Sequence, residues 1–201
     1  MTVDSYQTIS NSENILYKDK ASKFIGYAYH VVHTKEIREK LEVIKGMHPK
    51  ATHHCFAYRL GLDKNNYRFN DDGEPTGTAG KPILGQIDSK GLTNTLLIIV
   101  RYYGGTKLGV SGLINAYKTC AKLTLDNAQI LDKKILAYYQ VTTDYKDSNK
   151  LYHFVQKYKA FIVNKDIANE CVFTISVEIN QIDKFENELK ELQIKFNKIN
   201  Y

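Results

Sequence analysis

The chain has 201 residues, 43% of them hydrophobic and 25% charged, which is ordinary globular composition and excludes a disordered or fibrous chain. A formal charge of +6 makes an anionic partner plausible, although acidic residues are interleaved throughout and no block of Lys and Arg stands alone. No stretch approaches the roughly 18 apolar residues of a membrane span, the amino terminus lacks an export pattern, and Cys55, Cys120 and Cys171 show no CxxC pairing; a soluble, reduced, cytoplasmic protein without structural zinc or membrane contact is expected.

In chain order, Phe24 to Val32 reads as a strand. Thr34 is expected to cap a helix carrying Ile37, Leu41 and Ile44 and ended by Gly46 and Pro49. A second strand spans Thr52 to Leu60. A helix is expected to start near Thr78 with Pro82 in its first turn. Leu96 to Val100 is a continuous apolar run suited to a strand covered on both faces, and hence to the centre of its sheet. Ser111 would then cap a helix whose stripe runs through Leu113, Ala116, Tyr117, Cys120, Ala121, Thr124 and Ala128, which makes Cys120 a core residue.

All 12 glycines lie between Gly26 and Gly112 and all three prolines between Pro49 and Pro82, so the later chain contains neither. This composition shift places a domain junction near Leu131 to Lys134, with one domain over residues 1–131 and another over 135–201. Beyond it, Ile135 to Tyr145 alternates as a strand, and an Asp147 cap precedes a helix stripe of Leu151, Phe154, Val155 and Tyr158. Phe161 to Ile167 is a further strand, Phe173, Ile175, Val177 and Ile179 alternate with polar residues, and Phe185, Leu189 and Leu192 mark a last helix before Ile194 to Ile199. That order is βαββαβ, the ferredoxin-like pattern, and the whole chain is read as α+β.

Two glycine-bearing segments carry the functional signal. In the first, Asn70 to Pro82, Gly77 and Gly80 would let backbone approach a ligand, and the helix start near Thr78 would aim N–H groups and Lys81 at a phosphate. It is not a Walker loop, and Asp71, Asp72 and Glu74 would repel a bare phosphate unless Mg²⁺ intervened; a plain Asp/Gly turn is the alternative. In the second, Arg101 to Gly112, Gly104, Gly105 and Gly109 permit close approach, Arg101 and Lys107 supply charge, and Tyr102 and Tyr103 supply stacking faces. Adjacent tyrosines on a strand point oppositely, so at most one faces a ligand; Tyr102 is taken here. His53 and His54 likewise project to opposite faces and cannot chelate one ion together, which leaves either as a candidate acid or base and argues against a metal site.

The blocks THHCFAYRLG, NDDGEPTGTAGKPILG and LLIIVRYYGGTKLGVSGLINAY together resemble the YigZ/IMPACT family. The resemblance implies a first domain like domain two of ribosomal protein S five and a second like the ferredoxin-type fifth domain of elongation factor G. It marks His53, His54, Asp71, Asp72, Gly73, Glu74, Pro75, Gly77, Thr78, Ala79, Gly80, Arg101, Gly104, Gly105, Leu108 and Gly109, and brings no catalytic role with them. Eukaryotic members carry an additional amino-terminal RWD module, for which too little chain precedes residue 52. The expected function is therefore a translation-associated regulator that binds RNA, ribosome or a translation-factor protein, without cofactor. The alternative is a Mg²⁺-dependent enzyme on a nucleotide or other phosphorylated small molecule, with Asp71, Asp72 and Glu74 on the metal and His53 or His54 as acid/base.

Overall fold

The computed structural model describes residues 4–63, 65–144, 148–167 and 170–199. The chain divides into two compact units, Tyr6–Lys133 and the described residues of Met1–Ser5 with Lys134–Tyr201. No helix among the described residues is long and apolar enough to cross a membrane.

The first part of the chain runs through β1 (Ser5–Ile9), β2 (Ser12–Asp19), β3 (Ser22–His30), α1 (Thr34–Met47), β4 (His53–Leu60), β5 (Asn66–Asn70), α2 (Gly80–Ser89), β6 (Thr95–Tyr102), α3 (Gly109–Asp126) and β7 (Ile130–Lys134). β1 and β7 pair as a ribbon, and the other five strands form an antiparallel sheet in the order β2-β3-β6-β4-β5. β6 is central, as its unbroken apolar run requires. Leu97 and Ile99 face a core completed by Ile83 and Ile87 of α2 and Leu113, Tyr117 and Cys120 of α3. Leu96, Ile98 and Val100 face the opposite core with Ile37 and Ile44 of α1. Because successive side chains alternate faces, a strand covered on both sides shows no polar alternation. Cys120 is fully buried in the core, and burial pushes its thiol pKa up to about 12.

Three local expectations need correction. His33, not Thr34, occupies the cap position of α1, and it makes no side-chain cap hydrogen bond. α3 begins at Gly109 after Leu108, so Ser111 lies inside its first turn and caps nothing. β1, β2, β5 and β7 were not anticipated; β2 and β5 are the two sheet edges, where one neighbouring strand suffices and polar residues dominate.

The second unit contains β8 (Leu136–Thr143), α4 (Ser148–Lys157), β9 (Phe161–Ile167), β10 (Cys171–Glu178), α5 (Ile182–Glu191) and β11 (Lys195–Ile199). The expected βαββαβ connectivity is present, with antiparallel strands in the order β11-β8-β10-β9. Pairing of Phe173 with Val141 and Ile175 with Tyr139 gives one apolar sheet face. Leu151 and Phe154 of α4 and Phe185 and Leu189 of α5 close on that face in a single core. Leu192 departs from its expected place: it follows α5 and is 46% exposed. The proposed Asp147 cap and Tyr145 lie outside the described residues.

Candidate functional site

Antiparallel register sets three residues in one row across the first sheet. Arg101 near the end of β6 lies opposite His53 on β4 and Phe24 on β3, on the face covered by α2 and α3. Glu74, from the β5–α2 loop, reaches over this row. Its Oε1 accepts from Arg101 Nη1 at 2.5 Å and from the Tyr117 hydroxyl of α3 at 2.8 Å. Arg101 Nη2 donates to Ser22 Oγ at 3.3 Å, and the guanidinium lies 5.4 Å and 5.3 Å from the ring centroids of Phe24 and Tyr103. Arg101 is 4% and Glu74 8% exposed, so this is a buried ion pair whose lost hydration is offset only by these hydrogen bonds and contacts. Arg101 Nε is left without a hydrogen-bond partner among the described residues. Burial also raises the pKa of the Tyr117 hydroxyl and of the neighbouring Cys55 thiol, which keeps both protonated and makes Cys55 a poor nucleophile.

The two histidines diverge as alternation demands. His53 Nδ1 is 2.7 Å from the carbonyl of Asp72, which can only accept, so Nδ1 carries the proton and Nε2 is the acceptor of the neutral ring. That Nε2 lies 3.7 Å from Glu74 Oε1, beyond hydrogen-bond range. His54 shares the strand face of Phe56 and Tyr58, on the α1 side, away from Arg101. Its Nε2 is buried without a hydrogen-bond partner among the described residues, and burial holds its pKa below the ordinary histidine value.

The acidic loop serves itself. The Asp71 carboxylate accepts the backbone N–H groups of Gly77 at 2.8 Å, Ala79 at 3.0 Å and Gly80 at 2.8 Å. The N–H groups of Gly77, Ala79 and Gly80, expected to cradle a phosphate at the start of α2, are therefore engaged by this chain's own carboxylate. Asp72 Oδ2 takes the His54 N–H at 2.6 Å, and Glu74 is committed to Arg101. Three carboxylates aimed at three different partners do not make the expected Mg²⁺ site, and no metal-holding group of three His, Cys, Asp or Glu occurs among the described residues. Thr78 is buried with its hydroxyl on the Pro75 carbonyl at 2.7 Å. A Cβ at Gly80 would come within 2.7 Å of the Asn70 nitrogen, so this glycine answers packing and not a ligand. Gly77 and Lys81 line a separate hollow with Gly85, Gln86 and Lys118. Asp71→Ala is expected to cost about 1–3 kcal/mol by orphaning these N–H groups, with Asp71→Asn recovering part of the loss; urea denaturation of the two variants measures it.

The second glycine segment also divides. Gly104 approaches backbone of this chain: a Cβ there would lie 2.0 Å from the carbonyl carbon and oxygen of Ala21. Gly105 and Gly109 adopt left-handed φ values of 84° and 76°. Tyr102 is a correction. Its hydroxyl is 2.9 Å from His48 Nδ1 on the α1 side, whereas Tyr103 returns to the face of Arg101. The signal was available in the parity: with Arg101 on one face, Tyr102 must take the other.

Tyr103, His53, Glu74, Arg101, Lys107 and Gly109 meet around one cavity of about 480 Å³. Pro75, Leu108, Val110 and Leu113 supply its apolar wall; of these the helix stripe marked Leu113, the family resemblance marked Pro75 and Leu108, and nothing marked Val110. Residues from both glycine segments thus share one concavity, while His54, Asp71, Asp72, Gly77, Thr78, Gly80, Lys81, Tyr102, Gly104 and Gly105 do not line it. The α3 N-terminus opens here at Leu108 to Val110 without a side-chain cap, so it retains the partial positive charge that the α2 start has lost to Asp71.

The family model of the Impact N-terminal domain matches residues 20–125, a span that contains the entire cavity lining. The IMPACT family member YvyE of Bacillus subtilis (strain 168) is 30% identical over 188 residues, covering 94% of this chain and 87% of that protein. The IMPACT family member YigZ of Escherichia coli (strain K12) is 30% identical over 174 residues, covering 86% and 85%. A crystal structure described as that of an hypothetical protein superposes with a TM-score of 0.78 at 26% identity, covering 99% of each chain. By the family match and by these full-length likenesses, the chain belongs to the IMPACT family.

Proposed function

We propose that this chain is a translation-associated regulator that binds RNA, on the ribosome or free, through the cavity between β4, β6 and the start of α3. The observation that carries this reading is the cavity's composition: Lys107 and an uncapped helix N-terminus stand beside the exposed ring of Tyr103, over a buried Arg101–Glu74 pair that holds the wall in place. Phosphate affinity and a stacking face are what a single RNA strand asks of a protein. The charge of +6 supports the same partner. The reading includes a first domain like domain two of ribosomal protein S five, a ferredoxin-like second domain and a cytoplasmic location. It is favoured over the Mg²⁺-enzyme alternative because Asp71, Asp72 and Glu74 are each engaged by a different partner.

Sedimentation of the full chain with ribosomes across a salt series, with and without ribonuclease, tests this. Association is expected to fall steeply with salt and to be lost after ribonuclease. Lys107→Ala is expected to weaken it and to lower the slope of log K against log salt by about one. Equal affinity and slope for Lys107→Ala would remove the cavity from the binding surface.

A further inference from the structure

The cavity is too apolar to be a plain phosphate site. Beyond Lys107 and the α3 N-terminus its walls are Pro75, Leu108, Val110, Leu113 and the ring of Tyr103, which is 44% exposed. At about 480 Å³ it has the size of pockets that enclose a small heterocyclic ligand. Its polar end presents unused hydrogen-bonding capacity. In the neutral ring His53 Nε2 is the free acceptor, with Nδ1 held on the Asp72 carbonyl, and Thr52 and the buried Arg101 complete this polar lining. Glu74 contributes little, since its Oε1 already serves Arg101 and Tyr117.

A ligand that matches this lining carries an anionic group for Lys107 and the α3 N-terminus, a flat apolar body for the ring of Tyr103 and the apolar wall, and an N–H edge for His53. Resting on the RNA-binding reading above, we infer that the cavity takes one unstacked nucleotide of a single strand, its base against Tyr103 and its phosphate at Lys107 and the start of α3. A base within a duplex is stacked and paired and cannot enter, so the site discriminates strand form. The apolar wall and Tyr103 favour any base, and the His53 acceptor favours an edge that donates.

Fluorescence anisotropy with a labelled RNA hexamer tests this on the full chain, using the single strand, the same strand annealed to its complement, and the strand with one abasic position. The single strand is expected to bind at least about tenfold tighter than the duplex. Tyr103→Ala is expected to weaken it by about 5- to 100-fold, the loss that removing one base–aromatic stack gives, while Tyr103→Phe retains most of the affinity. Thermal melts of both variants show whether the fold is kept. Equal binding of duplex and single strand, no effect of Tyr103→Ala in a folded protein, or stronger competition by an acidic aromatic peptide would each overturn the inference. If ribosome sedimentation still depends on Lys107 in that event, the binding role stands and only the nucleotide pocket falls. Loss of both removes the proposed function as well.

Discussion

Arg101→Ala is expected to destabilise the first unit by about 3–5 kcal/mol, because it strands the Glu74 carboxylate in a site where its side chain is only 3% exposed. The Tyr117 hydroxyl at 2.8 Å would be its one remaining close donor among the described residues, and a single neutral donor does not replace a guanidinium. Glu74→Ala is expected to be comparably harmful, since it leaves Arg101 with Ser22 and two ring faces. Removing both charges behaves differently. Arg101→Met with Glu74→Leu is expected to recover most of the loss, as the penalty arises from an unpaired buried charge and not from absence of the bridge. Urea denaturation of the singles and the double closes a mutant cycle, with a thermal midpoint roughly 10–15 °C lower expected for the single Arg101 variant. A single variant as stable as the parent would show that the pair is hydrated in solution. The result also governs how binding data are interpreted: loss of RNA association in Arg101→Ala would report unfolding, whereas Lys107 and Tyr103, at the cavity rim, report contact.

What could be read from sequence follows from which signals are local. The five apolar residues of β6 announced a strand covered on both faces, and the alternation of Phe173, Ile175 and Val177 announced one covered on a single face. β5, with Asn66 to Phe69 exposed, offers no apolar alternation; only pairing with β4 makes it a strand. The site was legible in its membership and not in its wiring. Glu74 and Arg101 are separated by 27 positions, and no periodicity links a loop carboxylate to a strand arginine that far away. Glycine carries a further ambiguity: it marks a close approach without naming what approaches. At Gly80 and Gly104 the neighbour is this chain's own backbone, and at the α2 start the expected anion is the Asp71 carboxylate.

Gly104→Ala separates these two meanings of a glycine. The added methyl would lie 2.0 Å from the carbonyl carbon and oxygen of Ala21 and 2.6 Å from its Cβ, and main chain in the turn between β2 and β3 cannot rotate aside as a side chain can. Either that turn or the loop after β6 must move by more than an ångström. The expected cost is about 3 kcal/mol, at the upper end for overpacking, measured by urea denaturation. The displacement should also reach function. Ser22 Oγ, next to Ala21, joins Arg101 Nη2 and the Gly104 N–H at 3.3 Å each, and Lys20 Nζ meets the Lys107 carbonyl at 3.4 Å, so moving the turn disturbs both the buried pair and the cavity mouth. Gly105→Ala is the control one residue away. Among the described residues nothing stands within 4 Å of its added methyl, and only the φ of 84° resists, at about 1–2 kcal/mol. A folded Gly105→Ala is therefore expected to retain RNA affinity while Gly104→Ala loses both stability and affinity. Equal behaviour of the two would mean that backbone strain, and not the contact with Ala21, is what glycine serves in this loop.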